Sequence, residues 1–172
     1  MSIIKAVRGF TPKFGDNCFF AEGSVIVGDV IAGDDCSFWF NCVVRGDVNS
    51  IRLGNKVNVQ DGAILHTLYK KSTVVTGNNV SIGHNAVVHG AEISDNVLVG
   101  IGATVLDFVK IGKNSIVAAG ALVKTGTEIE PNSIYAGVPA VKIKDIDPEQ
   151  TRNMIDRIAN NYTMYADWFR KK

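Results

Sequence analysis

The sequence predicts a mostly β protein, in which short strands and turns wind into a triangular prism and a single α-helix follows. Three observations predict it. Val occurs 22 times and Ile 17 times against 6 Leu in 172 residues, and stiff β-branched side chains suit an extended, pleated backbone better than a helix. Apolar residues recur every six positions over most of the chain, a period that fits neither a 3.6-residue helix nor long alternating strands. Whole segments also echo at intervals of 18: Ile93-Ser94-Asp95-Asn96, Ile111-Gly112-Lys113-Asn114 and Ile129-Glu130-Pro131-Asn132. Three hexads then make one coil, with one hexad to each wall, and every coil stacks its apolar residues on the next.

The frame opens at Phe14 and continues through Phe20, Ile26, Ala32, Phe38 and Val44. It slips by three near Asn49-Ser50, resumes as Leu53, Val59 and Leu65, and is interrupted again before Ile82 and Val88. From Ile93 it runs unbroken through Val99, Val105, Ile111, Val117, Val123, Ile129 and Tyr135. Fifth positions are small or β-branched. Cys18, Cys36 and Cys42 all fall there, which makes them interior thiols rather than ligands. Gly100-Ile101-Gly102-Ala103 has the look of a nucleotide-binding loop, yet the repeat explains it and no helix follows.

The prism is expected over residues 1–146, with hexads over roughly 14–140. Asp147-Pro148-Glu149-Gln150 then reads as a helix start: Asp caps, Pro suits the first helical position, and Gln150 can bond back to the cap. Met154, Ile155, Ile158, Tyr162, Tyr165, Trp168 and Phe169 form one helical stripe. The helix over 147–172 is therefore expected to cover the prism, with Trp39 as a docking or interface residue. A partner groove or a membrane surface is the lesser alternative for that stripe.

Composition narrows the function classes. A formal net charge of +1 provides no field for nucleic acid or anionic membrane. No apolar run approaches the ~18 residues of a transmembrane helix, and the N-terminal residues lack the pattern of a signal peptide. Three cysteines are too few, and odd in number, for a secreted disulfide scaffold. The expectation is a cytoplasmic protein.

All three histidines, His66, His84 and His89, fall within 24 residues. Leu65 and Val88 are 23 residues apart, one coil plus a five-residue insertion. That spacing stacks His66 on His89 along one wall, about one strand spacing (~4.8 Å) apart. Two imidazoles so placed can reach one metal at about 2.0–2.1 Å each. His84 takes the third position of the neighbouring wall's hexad and points around a corner. Prisms packed about a threefold axis would bring it to a neighbour's wall. The predicted site is thus shared, with His66 and His89 from one subunit and His84 from the next. Isolated histidines are more often surface or satisfied core groups; the common register is what favours ligands.

Polar residues interrupt the frame nearby, as Arg45-Gly46-Asp47 and Asn58-Val59-Gln60-Asp61-Gly62. Arg45 and the aspartates are suited to ion pairs that fasten subunits and orient ligands. Gln60 shares the second position of His66, and its neutral amide can order a water or a polar substrate. Asp61 lies one coil below His84.

The hexad frame over roughly 14–140 resembles the hexapeptide-repeat family, and the resemblance implies a left-handed parallel β-helix. Arg45-Gly46-Asp47, Asn58-x-Gln60-Asp61, His66 and Gly83-His84-x4-His89-Gly90 resemble the gamma-class carbonic anhydrases within it. That resemblance implies a homotrimer whose three histidines bind a divalent metal, commonly zinc, with iron or cobalt also accepted. Imidazole ligands allow nickel as well. It further implies reversible hydration of carbon dioxide to bicarbonate by metal-bound hydroxide, the metal lowering the pKa of its water toward ~7. Gln60 and Asp61 would then be the catalytic residues lining the pocket, and Arg45, Asp47 and Asn58 would serve the interface and support the ligands. Tyr162, on the final helix and outside the matched motifs, is a further catalytic candidate expected to reach the pocket of an adjacent subunit. The chain departs from the family's best-known active members at two places. The loop Thr67-Leu68-Tyr69-Lys70-Lys71-Ser72-Thr73 carries no carboxylate, and Val48 follows Asp47. Without those carboxylates to shuttle protons, hydration is expected to be weak.

Two other functions fit the sequence. One is an acyltransferase using an acyl-CoA donor, with His84 as general base; Tyr135-Ala136-Gly137-Val138-Pro139-Ala140 resembles the way such prisms end. Three histidines in ligand register would then be unexplained. The other is a noncatalytic metal-binding assembly subunit, distinguished by an oligomer that falls apart on chelation and shows no turnover.

Overall fold

Each hexad folds as a short strand and a turn, because one inward apolar residue is followed by residues that can turn a corner. Phe38, Val59, Ile82, Val99 and Val117, all at first positions, are completely buried. Asn17, Asn96, Asn114 and Asn132 stand at fourth positions with φ of 56°, 56°, 57° and 57°, the left-handed conformation that Asn tolerates. Stacked corners bond to one another. The Asn79 amide donates to Asn96 Oδ1 at 2.8 Å, Asn96 to Asn114 at 3.2 Å and Asn114 to Asn132 at 2.9 Å.

A computed structural model describes residues 1–170; Lys171, Lys172 and the side chain of Gln150, with its expected bond to the cap, lie outside the described residues. Parallel pairing stacks the coils into three walls. Ile26, Val44, Leu65, Val88, Val105 and Val123 are in register on the first. Phe20, Phe38, Val59, Ile82, Val99, Val117 and Tyr135 are in register on the second. The third runs from Phe14 and Ala32 to Ile93, Ile111 and Ile129. The fold is the parallel β-helix with one C-terminal helix that the sequence predicts, consistent with the left hand that the family resemblance implies.

The interruptions of the frame have physical explanations. Strands Val25–Ala32 and Val43–Leu53 run without a break from the first wall to the third. They bend where Gly28, at φ 79°, lies against the Gly46 backbone with no room for a Cβ. The hexad absent from the apolar count before Ile82 is Val74–Thr76, in which Thr76 pairs with Ile93. Thr76 is buried, and its hydroxyl oxygen accepts the Gly54 N–H at 3.3 Å. A satisfied polar residue at a first position conceals the repeat.

Cys36 and Cys42 are buried, and Cys18 packs against the same core, the interior placement expected from fifth positions. The C-terminal helix α1 spans Pro148–Arg170. Asp147 caps it, its Oδ1 accepting the Glu149 N–H at 2.8 Å. The docked seam is Thr151, Ile155, Ala159 and Ala166, all buried, with Tyr162 and Phe169 against Trp39. Trp39 is therefore a docking residue. Trp168 is 60% exposed, so the seam is rotated from the expected stripe. Small side chains at Ala159 and Ala166 let the helix approach the wall and leave Trp168 at its rim. No helix among the described residues is long and apolar enough to cross a membrane.

Candidate metal centre

His66 and His89 end the adjacent strands Ile64–His66 and Val87–His89 and are direct partners in register. Leu65 and Val88 point inward, so the imidazoles project outward side by side. His66 Nδ1 lies 3.2 Å from His89 Nε2. Each far nitrogen meets a carboxylate: His66 Nε2 is 3.1 Å from Asp47 Oδ1, and His89 Nδ1 is 3.0 and 2.9 Å from the two oxygens of Asp107.

These contacts favour one pair of tautomers. A carboxylate accepts hydrogen bonds, so a neutral imidazole beside one keeps its proton on that side. The two facing nitrogens are then both lone-pair acceptors with no proton between them. Such a pair repels itself, and a cation between the nitrogens relieves the repulsion. Two ligands of one tetrahedral ion at ~2.0–2.1 Å stand about 3.3–3.4 Å apart, close to the spacing here. The donor set fits a divalent metal.

Asp47 also receives Arg45 Nη1 at 2.5 Å. Burial opposes its charge, but hydrogen bonds from Arg45 and His66 outweigh burial and hold its carboxyl below the ordinary carboxylate range. Burial likewise lowers the pKa of His66, which favours the neutral ring that a metal requires. The stability contributed by Asp47 is therefore present above its unfolded pKa of about 3.9 and is lost as pH falls through the lower folded value. Thermal melts across acid pH are expected to show a shallower loss below about pH 4 in Asp47→Asn than in the wild type. An identical acid limb in the variant would contradict this role.

His84 follows the strand Ser81–Ile82 on the second wall. Its Nδ1 lies 2.8 Å from Asp61 Oδ2, one coil below as the register predicts, and its Nε2 lies 3.2 Å from the Tyr162 hydroxyl. The ring proton belongs on Nδ1, leaving Nε2 to accept from Tyr162. Burial first, and then the charge of Asp61, push the Tyr162 hydroxyl up to about 12, so it holds its proton and donates. Gln60 Nε2 donates to Asn58 Oδ1 at 2.9 Å, and Asn58 Nδ2 donates to Ser81 Oγ at 2.8 Å. Gln60, His84 and Tyr162 share a cavity of about 400 Å³ between α1 and the second wall, otherwise lined by apolar groups such as Leu98, Ile101, Ile116 and Ile158.

The residues singled out by sequence thus fall into two groups. Arg45 and Asp47 support the His66–His89 pair, while Asn58, Gln60, Asp61 and Tyr162 gather around His84. Among the described residues of one chain, no three His, Cys, Asp or Glu side chains converge as a metal-holding group. Sequence reasoning misses Asp107. The signal was available, because one 18-residue step from His89 lands on it.

Residues 90–125 match the family described as Bacterial transferase hexapeptide (six repeats). The carbonic anhydrase of Geobacillus kaustophilus is 39% identical over 168 residues, which cover 98% of this chain and 91% of that protein. The mitochondrial gamma carbonic anhydrase 1 of Arabidopsis thaliana is 37% identical over 160 residues, covering 90% of this chain and 58% of the relative. A solved Bacillus cereus structure, named provisionally as an acetyltransferase, is similar with a TM-score of 0.93 at 33% identity, covering 98% of this chain and 96% of that one.

Proposed function

This chain belongs to the gamma carbonic anhydrase-like family of hexapeptide-repeat proteins, and on that premise we propose that it hydrates carbon dioxide reversibly to bicarbonate at a divalent metal site. The ion is held by His66 and His89 of one subunit and by His84 of the next in a homotrimer. Zinc is the proposed ion, and iron, cobalt or nickel suits the same imidazoles. The observation that carries the reading is His66 Nδ1 facing His89 Nε2 across 3.2 Å while the far nitrogen of each ring lies against a carboxylate.

Bound there, the ion supplies Lewis acidity that makes a water nucleophilic near neutral pH. The rest of the work belongs to the chain. Asp47 and Asp107 hold the two ring protons away from the ion, and Asp61 does the same for His84. With His84 Nε2 committed to an ion, the Tyr162 hydroxyl that now faces it at 3.2 Å would be free as a donor beside the pocket. Gln60 has one amide N–H committed to Asn58, so its carbonyl and second N–H remain for a water or a bicarbonate oxygen. The apolar cavity beside these groups suits an uncharged gas. Residues 67–73 carry no carboxylate to shuttle protons. Turnover is therefore expected to rise with buffer concentration.

An acyl-CoA-dependent transferase would use His84 as a base and leave the His66–His89 pair without a task. The test is the metal content and native mass of protein purified without chelator, followed by oxygen-isotope exchange between carbon dioxide and water. About one ion per chain in a trimer, with exchange abolished by chelation, is the expected result. Protein that contains no metal and refuses added zinc or cobalt would overturn the reading. A metal-bearing trimer without exchange would make the chain a noncatalytic assembly subunit.

A further inference from the structure

Asp107 is part of a longer chain of hydrogen bonds. Its Oδ1 accepts the Ser72 hydroxyl at 2.5 Å, and Ser72 Oγ accepts the Leu68 N–H at 2.9 Å. Ser72 is buried, and its carbonyl oxygen accepts the Asn49 side-chain amide at 2.9 Å. The N–H groups of Lys71 and Ser72 donate to the Leu68 carbonyl at 3.0 and 3.2 Å, so a tight turn fixes the position of the serine. Because the Leu68 N–H points at Oγ, the hydroxyl proton is directed to Asp107. The bonds then run with one polarity, from backbone N–H through hydroxyl to carboxylate, with the His89 N–H donating into the same carboxylate.

Gly90, the residue after His89, makes room for this arrangement. It has φ +63°, and a Cβ at that position would collide with both Ser72 Oγ and Asp107 Oδ1. A serine from the loop and an aspartate from the next coil thus meet over a gap left for them beside the histidine.

We propose that Asp107, braced by Ser72 across Gly90, is a positioning residue that fixes His89 in its Nδ1–H tautomer and turns the Nε2 lone pair toward the ion. The inference rests on the metal site proposed above. It gives the carboxylate-free loop 67–73 a role in ion binding through its serine.

The test compares the full-length wild type with Asp107→Ala, Asp107→Asn and Ser72→Ala. Side-chain 15N shifts of His89 are read in chelator-stripped protein, and the affinity for added zinc is measured by competition with a chromophoric chelator. The wild type is expected to show His89 as a single Nδ1–H tautomer. Asp107→Ala and Ser72→Ala are expected to shift His89 toward a mixture while His66 keeps its Nε2–H signal. Zinc affinity should fall by roughly 10–100-fold in Asp107→Ala, and by less in Ser72→Ala. Asp107→Asn, whose carboxamide oxygen still accepts from Nδ1, is expected to retain the tautomer. Folded Asp107→Ala or Ser72→Ala protein with wild-type His89 shifts and zinc affinity would overturn the inference. Should Asp107→Ala not fold, Ser72→Ala carries the same comparison. If the wild type itself takes up no zinc, the metal reading falls separately, and the tautomer comparison still decides whether Asp107 governs His89.

Discussion

Alanine at His84 is expected to abolish metal binding as completely as alanine at His66 or His89, although within one chain His84 bonds to Asp61 and Tyr162 and stands on another wall. The expectation follows from the coordination count. His66 and His89 supply two nitrogens, and a catalytic zinc site of this type keeps three protein ligands. Loss of a ligand should cost more than the roughly 10–100-fold drop in affinity that follows loss of an outer partner such as Asp107. Metal analysis after gel filtration checks it: each of the three variants should elute as folded protein with almost no bound ion. A His84→Ala protein that keeps its full metal content would confine the site to one chain.

The second large effect lies in the core. Phe38 is completely buried, stacked on Phe20 at 5.2 Å with planes 3° apart and meeting the edge of Phe14 at 5.9 Å. These rings fill the N-terminal coils, where stacking partners become fewer. Phe38→Ala should cost about 3–5 kcal/mol. In a solenoid each coil depends on its immediate neighbours, so the loss should loosen that end before the rest. Cys36, two residues earlier and buried, provides a local reporter. Urea unfolding should show the destabilisation, and Cys36 should become reactive toward a thiol reagent in urea too dilute for global unfolding. A midpoint shift worth less than about 1 kcal/mol, with Cys36 still protected, would contradict this view of the core.

The walls were legible in the sequence because each inward position is one residue in six and carries little besides apolar side chains. Legibility failed where that chemistry changed. Thr76 occupies an inward position with a satisfied hydroxyl, and the hexad it belongs to vanished from an apolar count. The hand of the coil came from family resemblance, since a period of six has none. On α1, the stripe of large residues pointed toward Trp168, whereas close packing selected Ala159 and Ala166 for the seam.

The site was legible to the extent that coil stacking turns sequence spacing into contact. It brought His66 to His89, Asp61 to His84 and Asp47 to His66. Asp107 obeys the same rule but follows the last histidine, beyond the polar cluster that drew attention. Ser72 lies in a loop outside the frame, where no period assigns it a neighbour. Its partner is revealed only by the fold.

The central claim is that the three histidines form one site across two subunits, and mixed trimers test it most directly. His84→Ala and His66→Ala/His89→Ala chains, carrying different affinity tags, are coexpressed, and trimers bearing both tags are isolated. Either variant alone should bind no ion. Whichever way two chains of one kind and one of the other are arranged around the threefold axis, a single interface joins an intact His66–His89 pair to an intact His84, so the account predicts about one ion per mixed trimer. Mixed trimers devoid of metal, or metal in either pure variant, would contradict it.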